Sequence, residues 1–223
     1  MNASRVSSLA VAALLASTGV ASADLITNGN FSAGNTGFTS AYQYVPPASI
    51  YDPARYALVS FDTIHSAFAD FYDHTSGNAS GQYMIVNGTN TGLAPAWAQT
   101  VNLTAGSYNL SAWFASLVSQ APASLQFHIV PTVGSSMVSS TFFAPSTVAN
   151  WAQSSFAFNI ATTGSYSIQI WDTNQAFSGN DYAIDDISLT AVVPLPPAAY
   201  AGLASLAGVG VFGAIRRKRN ARA

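Results

Sequence analysis

Apolar and polar residues alternate one by one through the middle of this chain. Runs with that two-residue period recur at Gln82–Val86, Ala98–Leu103, Ser107–Phe114, Ser124–Val130, Ser154–Ile160, Ser165–Trp171 and Tyr182–Thr190, separated by clusters of Gly, Asn, Pro and Ser. A period of two belongs to a strand with one face buried and the other wet, so the pattern predicts an all-β body. Between residues 24 and 192 no segment shows a convincing 3.6-residue helical period. Ser, Thr, Asn and aromatic residues dominate this span, a composition suited to exported β-sandwiches.

The alternation also assigns faces. Tyr108, Leu110, Ala112 and Phe114 share one side of their run, and Asn109, Ser111 and Trp113 share the other. Tyr166, Ile168 and Ile170 point inward while Ser167, Gln169 and Trp171 point outward; Leu125, Phe127 and Ile129 oppose Gln126 and His128. An indole among hydroxyls and amides has the chemistry of a sugar platform, with the ring covering the apolar face of a pyranose and the polar neighbours taking its hydroxyls. Trp113, Trp171, Gln169 and His128 are therefore the candidate ligand residues. The competing expectation is that each Trp, near a strand end, folds over the rim and packs under a loop.

One internal repeat sharpens the architecture. Trp97-Ala98-Gln99 is followed by Gly106-Ser107-Tyr108 and then Trp113, while Trp151-Ala152-Gln153 is followed by Gly164-Ser165-Tyr166 and then Trp171. Each copy reads as a hairpin turning at its Gly. Together with Asn28-Gly29-Asn30-Phe31 near the start and Asp185-Asp186-Ile187-Ser188-Leu189 on the last run, the copies resemble the galactose-binding-like jelly rolls of many carbohydrate-binding modules, over roughly Leu25 to Ala191. The resemblance implies a two-sheet jelly-roll sandwich, a fold that hosts many functions. It also implies a structural calcium ion tying the first loop to the last strand, with Asn28, Asn30 and Asp186 as ligands. Ser32 stands where those modules carry a Glu, which removes a strong hard-oxygen ligand. The open alternative is that Asn28-Gly29-Asn30 is simply a turn and Asp185-Asp186 are strand-end carboxylates.

Both ends of the chain carry processing signals. Arg5, an apolar run from about Leu9 to Val20 and then Ala21-Ser22-Ala23 form the pattern at which signal peptidase cuts, so residues 1–23 read as a signal peptide. At the other end, Val193-Pro194-Leu195-Pro196 precedes an uncharged stretch from Ala198 to Ile215, which Arg216, Arg217, Lys218 and Arg219 close. As a helix that stretch would be about 27 Å long, just enough to span a bilayer, and the basic stop would place the C-terminus in the cytoplasm. In its order of parts, the 193–219 segment resembles the PEP-CTERM class of bacterial sorting signals, in its VPLPA variant, and residues 220–223 form a short tail. The resemblance implies an exosortase-type membrane protease as partner. It further implies transient anchoring in the inner membrane of a Gram-negative bacterium, then release to the cell surface or the extracellular matrix and an association with exopolysaccharide. A permanent membrane anchor is the simpler alternative.

Removing both ends changes the charge. Residues 24–192 keep a single basic residue, Arg55, against nine acids that are all Asp, a net charge of −8. Nucleic acid and anionic membrane surfaces are poor partners for such a body; neutral polymers and divalent cations are better ones. The absence of Cys leaves stability to the core rather than to disulfides.

Catalysis finds little support. There is no Glu for a glycosidase pair, no Cys nucleophile, no Gly-x-Ser-x-Gly elbow and no phosphate loop. Asp62, His65, Asp70, Asp73 and His74 cluster among aromatic residues, with a spacing that fits no ligand signature and reads as a solvated loop with aromatic anchors. The expectation is a non-enzymatic, exported β-sandwich without a required cofactor that contacts carbohydrate. A matrix protein without a discrete ligand and a weak Asp-dependent hydrolase are the alternatives.

Overall fold

The computed structural model describes residues 23–61 and 65–193. The expected signal peptide up to residue 22 and the sorting signal from Pro194 onward, including Leu195, Pro196, Arg216, Arg217, Lys218 and Arg219, lie outside the described residues, as does Asp62. Among the described residues no helix is long and apolar enough to cross a membrane.

Among the described residues eleven strands form two sheets: β1 (Gln43–Tyr44), β2 (Arg55–Val59), β3 (Tyr83–Asn87), β4 (Pro95–Leu103), β5 (Gly106–Ser116), β6 (Ser124–Pro131), β7 (Met137–Val138), β8 (Phe142–Phe143), β9 (Ala152–Ile160), β10 (Gly164–Asp172) and β11 (Tyr182–Ala191). Sheet A has the order β1-β2-β3-β11-β5-β9, and sheet B has β4-β10-β6-β7 with β8 also on β6. All seven expected runs fall on strands, although Tyr83–Val86 and Tyr182–Asp185 within them are buried residue after residue rather than on one face. β2 is the long element that alternation misses, because Tyr56, Ala57, Leu58 and Val59 are buried on both faces and show no period.

The core between the sheets is built from the residues alternation turns inward. Leu110, Ile168, Ile170, Phe127 and Leu189 are fully buried, and Phe114, Phe127 and Phe142 pack ring to ring at 5.0–6.0 Å. A second, smaller core lies on the outer side of sheet A, where Ile50, Phe68, Phe71 and Leu117 cover Ala57, Tyr83, Ile85 and Ala183. That cover explains why Tyr83–Val86 and Tyr182–Asp185 are buried without alternation. Among the described residues, both cores belong to the compact unit that ends at Val193.

The hairpin reading of the internal repeat is corrected by the pairing. β4 and β5 lie in different sheets, as do β9 and β10; β4 pairs with β10 (Leu103 opposite Gly164) and β5 with β9 (Gly106 opposite Ile160). Each copy is an arch between the sheets, and the two arches interlock so that exchanging the copies maps one pairing onto the other. Alternation reports which face of a strand is buried and is silent about its neighbour, so a turn and an arch look alike in sequence. Both arches are pinned in the same way. Tyr108 Oη donates to Thr104 O at 2.9 Å, and Tyr166 Oη donates to Thr162 O at 2.6 Å.

Candidate functional site

The outer face of sheet B brings three of the four candidate ligand residues together. Gln169 on β10 stands opposite His128 on β6, and Trp171 opposite Gln126. The Trp171 and His128 rings stack at 4.8 Å and 15°, Trp171 Nε1 donates to Gln169 Oε1 at 2.7 Å, and His128 Nε2 lies 3.2 Å from Gln126 Oε1. All four side chains are half-buried. Ser167, Thr100 and Asn102 extend the same face. Burial lowers the His128 pKa, which favours the neutral imidazole against the indole. The result is a charge-free surface of amides, hydroxyls and one stacked aromatic pair.

Trp113 is not part of that surface. It sits on β5 in sheet A, on the opposite outer face of the sandwich, so the two repeat tryptophans do not make one platform. His74 lies flat on its ring at 3.7 Å and 17°. His74 Nδ1 is 2.6 Å from Asp186 Oδ2, and Thr75 Oγ1 donates to Asp186 Oδ1 at 2.6 Å. Asp185 is fully buried and accepts from the His74 and Thr75 amides at 2.8 and 3.2 Å. Its burial, aided by the Asp186 charge, lifts its carboxyl to about 7 although the three backbone amides of Asp186, His74 and Thr75 oppose the rise. Trp151 Nε1 reaches across to Tyr72 O at 3.0 Å. These contacts strap the segment 65–81 over sheet A.

The strap also disperses the Asp/His cluster. Asp73 is buried and caps its own turn, taking the Ser76 amide at 2.7 Å and the Ser76 hydroxyl at 2.6 Å, while Asp70 is exposed. His65 lies elsewhere, in the aromatic stack described below. Among the described residues no three His, Asp, Glu or Cys side chains are grouped to hold a metal.

Asn28, Asn30 and Asp186 do line one cleft of about 310 Å³, with Asp24, Gly29 and Ile187. Gly29 O accepts from Ile187 N at 3.0 Å, and a Cβ on Gly29 would fall 1.9 Å from Ile187 O, so the first loop and the last strand meet backbone to backbone. The side-chain oxygens serve local turns and the strap instead. Asn28 Oδ1 accepts from Ala33 N, Asn30 Oδ1 from Ser32 N and Oγ, and Asp186 binds the strap. A calcium ion in this cleft would have to compete with those bonds for the same oxygens.

A second recess escapes sequence reasoning. A cleft of about 560 Å³ opens at the rim, lined by Tyr51, His65, Phe68, Asn87, Phe177 and Asp181 among others. Tyr51, His65 and Phe68 form a ring stack, at 4.7 and 4.0 Å, and Phe177 is 81% exposed. Burial raises the Asp181 pKa, with the Gly88 amide and then the His65 charge acting against it. These aromatics come from loops far apart in the chain, outside every period-two run. Only their presence in otherwise polar loops could have flagged them.

At the buried junction of β10 and β11, Asp172 Oδ1 accepts from Ser124 N and Asn174 N at 3.0 and 2.9 Å. Burial lifts this carboxyl to about 7 against those two bonds. It ties two loops to the sandwich.

No protein-family model and no curated protein matches this chain. Solved structures do. It is similar to the carbohydrate-binding module TmCBM61 in complex with β-1,4-galactotriose, at 14% identity and a TM-score of 0.53 over 77% of this chain and 100% of that one. It is also similar to the N-terminal CBM22-1–CBM22-2 tandem domain of Paenibacillus barcinonensis Xyn10C, at 13% identity and a TM-score of 0.53 over 82% of this chain and 48% of that one, about half of the tandem's length. At such identities the likeness speaks for the fold: the described body has the jelly-roll architecture of carbohydrate-binding modules.

Proposed function

We propose that residues 24–192 are a non-catalytic carbohydrate-contacting module, exported with its signal peptide removed by signal peptidase and sorted by an exosortase-type protease to the cell surface or extracellular polysaccharide. The observation that supports the binding reading best is the Trp171–His128 stack, set in a sheet face without charge. A neutral polymer lying on that face would stack a pyranose on the exposed indole surface and exchange hydrogen bonds with Gln126 and Gln169, at no cost in buried charge. The body's eight excess negative charges favour neutral glycans over anionic ones. The absence of grouped acids on this face, among the described residues, gives no support to hydrolysis there.

A glycan array and affinity electrophoresis on residues 24–192 test the proposal. Binding to a neutral polysaccharide is expected, reduced about tenfold or more by Trp171→Ala, as for loss of one stacking platform. Tyr51→Ala/Phe177→Ala tests the rim cleft in the same assay; loss of binding there and not at Trp171 would move the site. A module that binds no glycan at all would leave the structural matrix protein as the better reading. Sorting is tested separately by intact mass of the exported protein, expected to begin at Asp24 and to lack Arg216–Arg219.

A further inference from the structure

The two sheets end in four edge strands, and three of those are blunted. β1 and β7 are two residues long. β4 starts at Pro95 and its first half is covered: Thr39 and Ala98 exchange backbone bonds at 2.8 Å, Ala41 N donates to Pro95 O at 3.0 Å, and the Gln99 amide grips Thr27 and Gly37. β9 has none of these protections. It runs nine residues, pairs among the described residues with β5 alone and without a bulge, and contains no Pro, no Gly and no charged residue. A flat strand of about 30 Å with one unpartnered row of backbone groups is a template for another strand unless charge, Pro, a bulge or cover prevents it.

We propose that this edge is an interface between two copies of the chain. The copies pair their β9 strands antiparallel about a two-fold axis at Phe156, joining two six-stranded sheets into one. Charge argues for a second copy as the occupant. No Asp, Glu, Lys or Arg occurs between Asp73 and Asp172, so β9 and its neighbour β5 form a charge-free margin on an otherwise acidic body. Two copies meet there with the least repulsion, and a partner steered by charge finds nothing to read.

The register argues the same way. An axis at Phe156 sets Ser155 against Ala157, Ser154 against Phe158, Gln153 against Asn159 and Ala152 against Ile160, so core-facing residues meet core-facing ones and outer residues meet outer ones. Phe156, half-buried and stacked on Phe158 at 5.6 Å, meets its own mate, an aromatic pair that covers both rings. Adding one strand buries a small area, so the dimer is weak in dilute solution and strengthens where copies are held side by side.

Sedimentation velocity on residues 24–192, over a dilution series, tests this directly. A reversible monomer–dimer equilibrium is expected. Ser155→Lys/Ala157→Lys places like charges opposite each other twice, on exposed positions outside the core, and should weaken the dimer about tenfold or more with an unchanged melting temperature. Ser155→Lys/Ala157→Glu places opposite charges across the same two pairs and should restore it. A domain that stays monomeric throughout, or a dimer indifferent to the paired lysines, overturns the proposal; equal weakening by both variants overturns the Phe156 axis. Amide exchange of the unsubstituted domain gives the same answer without mutation, since β9 amides should gain protection as concentration rises.

Discussion

Three of the four tryptophans offer a graded test, because the fold uses each differently. Trp97 is fully enclosed between the sheets. A Trp buries about 200 Å² or more, and complete truncation in a core costs about 3–5 kcal/mol. Its Nε1 has no hydrogen-bond partner among the described residues, and removing a buried unsatisfied donor offsets part of that loss, so Trp97→Ala should cost about 3 kcal/mol. Trp113 is half-buried beneath His74; about 100 Å² of cover at about 25 cal/mol/Å² gives about 2.5 kcal/mol for Trp113→Ala. Trp171 loses one stacking contact with His128 and one bond to Gln169 on a wet face, about 1 kcal/mol. Urea unfolding of residues 24–192, with constant m, should therefore order the midpoints Trp97→Ala lowest, Trp113→Ala next and Trp171→Ala nearest the parent. Glycan affinity should run the other way, with Trp171→Ala alone losing binding among folded variants. A Trp171→Ala cost equal to that of Trp97→Ala would refute the surface assignment, and glycan binding lost in Trp113→Ala but kept in Trp171→Ala would refute the choice of sheet face.

Further outcomes follow from single sites. Asp172 and Asp185 hold their protons in the fold up to about pH 7 while the unfolded chain releases them near pH 4, so the native state binds more protons in that window. Stability should fall as pH rises from about 4 to 7. His128, lowered by burial, opposes the trend below its ordinary value, and Asp172→Asn and Asp185→Asn should each flatten the slope; a melting temperature that climbs over this window would contradict the assignment. Gly29→Ala pushes a methyl into Ile187 O and should lower stability by about 2 kcal/mol or more, read by thermal melting. Millimolar calcium should leave the melting temperature of residues 24–192 unchanged, since the oxygens of Asn28, Asn30 and Asp186 are engaged; a rise that Asp186→Asn abolishes would show that they rearrange around the ion.

The all-β class and the inward residues were legible in the sequence, because a period of two is a local property. Tyr108, Leu110, Ala112 and Phe114 face the core as their spacing requires, and Tyr166, Ile168 and Ile170 do the same. The polar setting of Trp171, Gln169 and His128 was legible for the same reason. Strand partnership was not, since nothing in either repeat copy says whether its Gly turns a hairpin or an arch; that depends on which distant strand offers a matching edge. Nor was the fate of Trp113, which alternation places outside its sheet just as it does Trp171. Tertiary structure separated the two by bringing His74, from a segment some forty residues upstream, onto one ring, while His128 on the neighbouring strand flanks the other. The rim cleft and the bare edge of β9 belong wholly to the folded state, because a recess between loops and a strand without a neighbour are relations among residues that chain order does not contain.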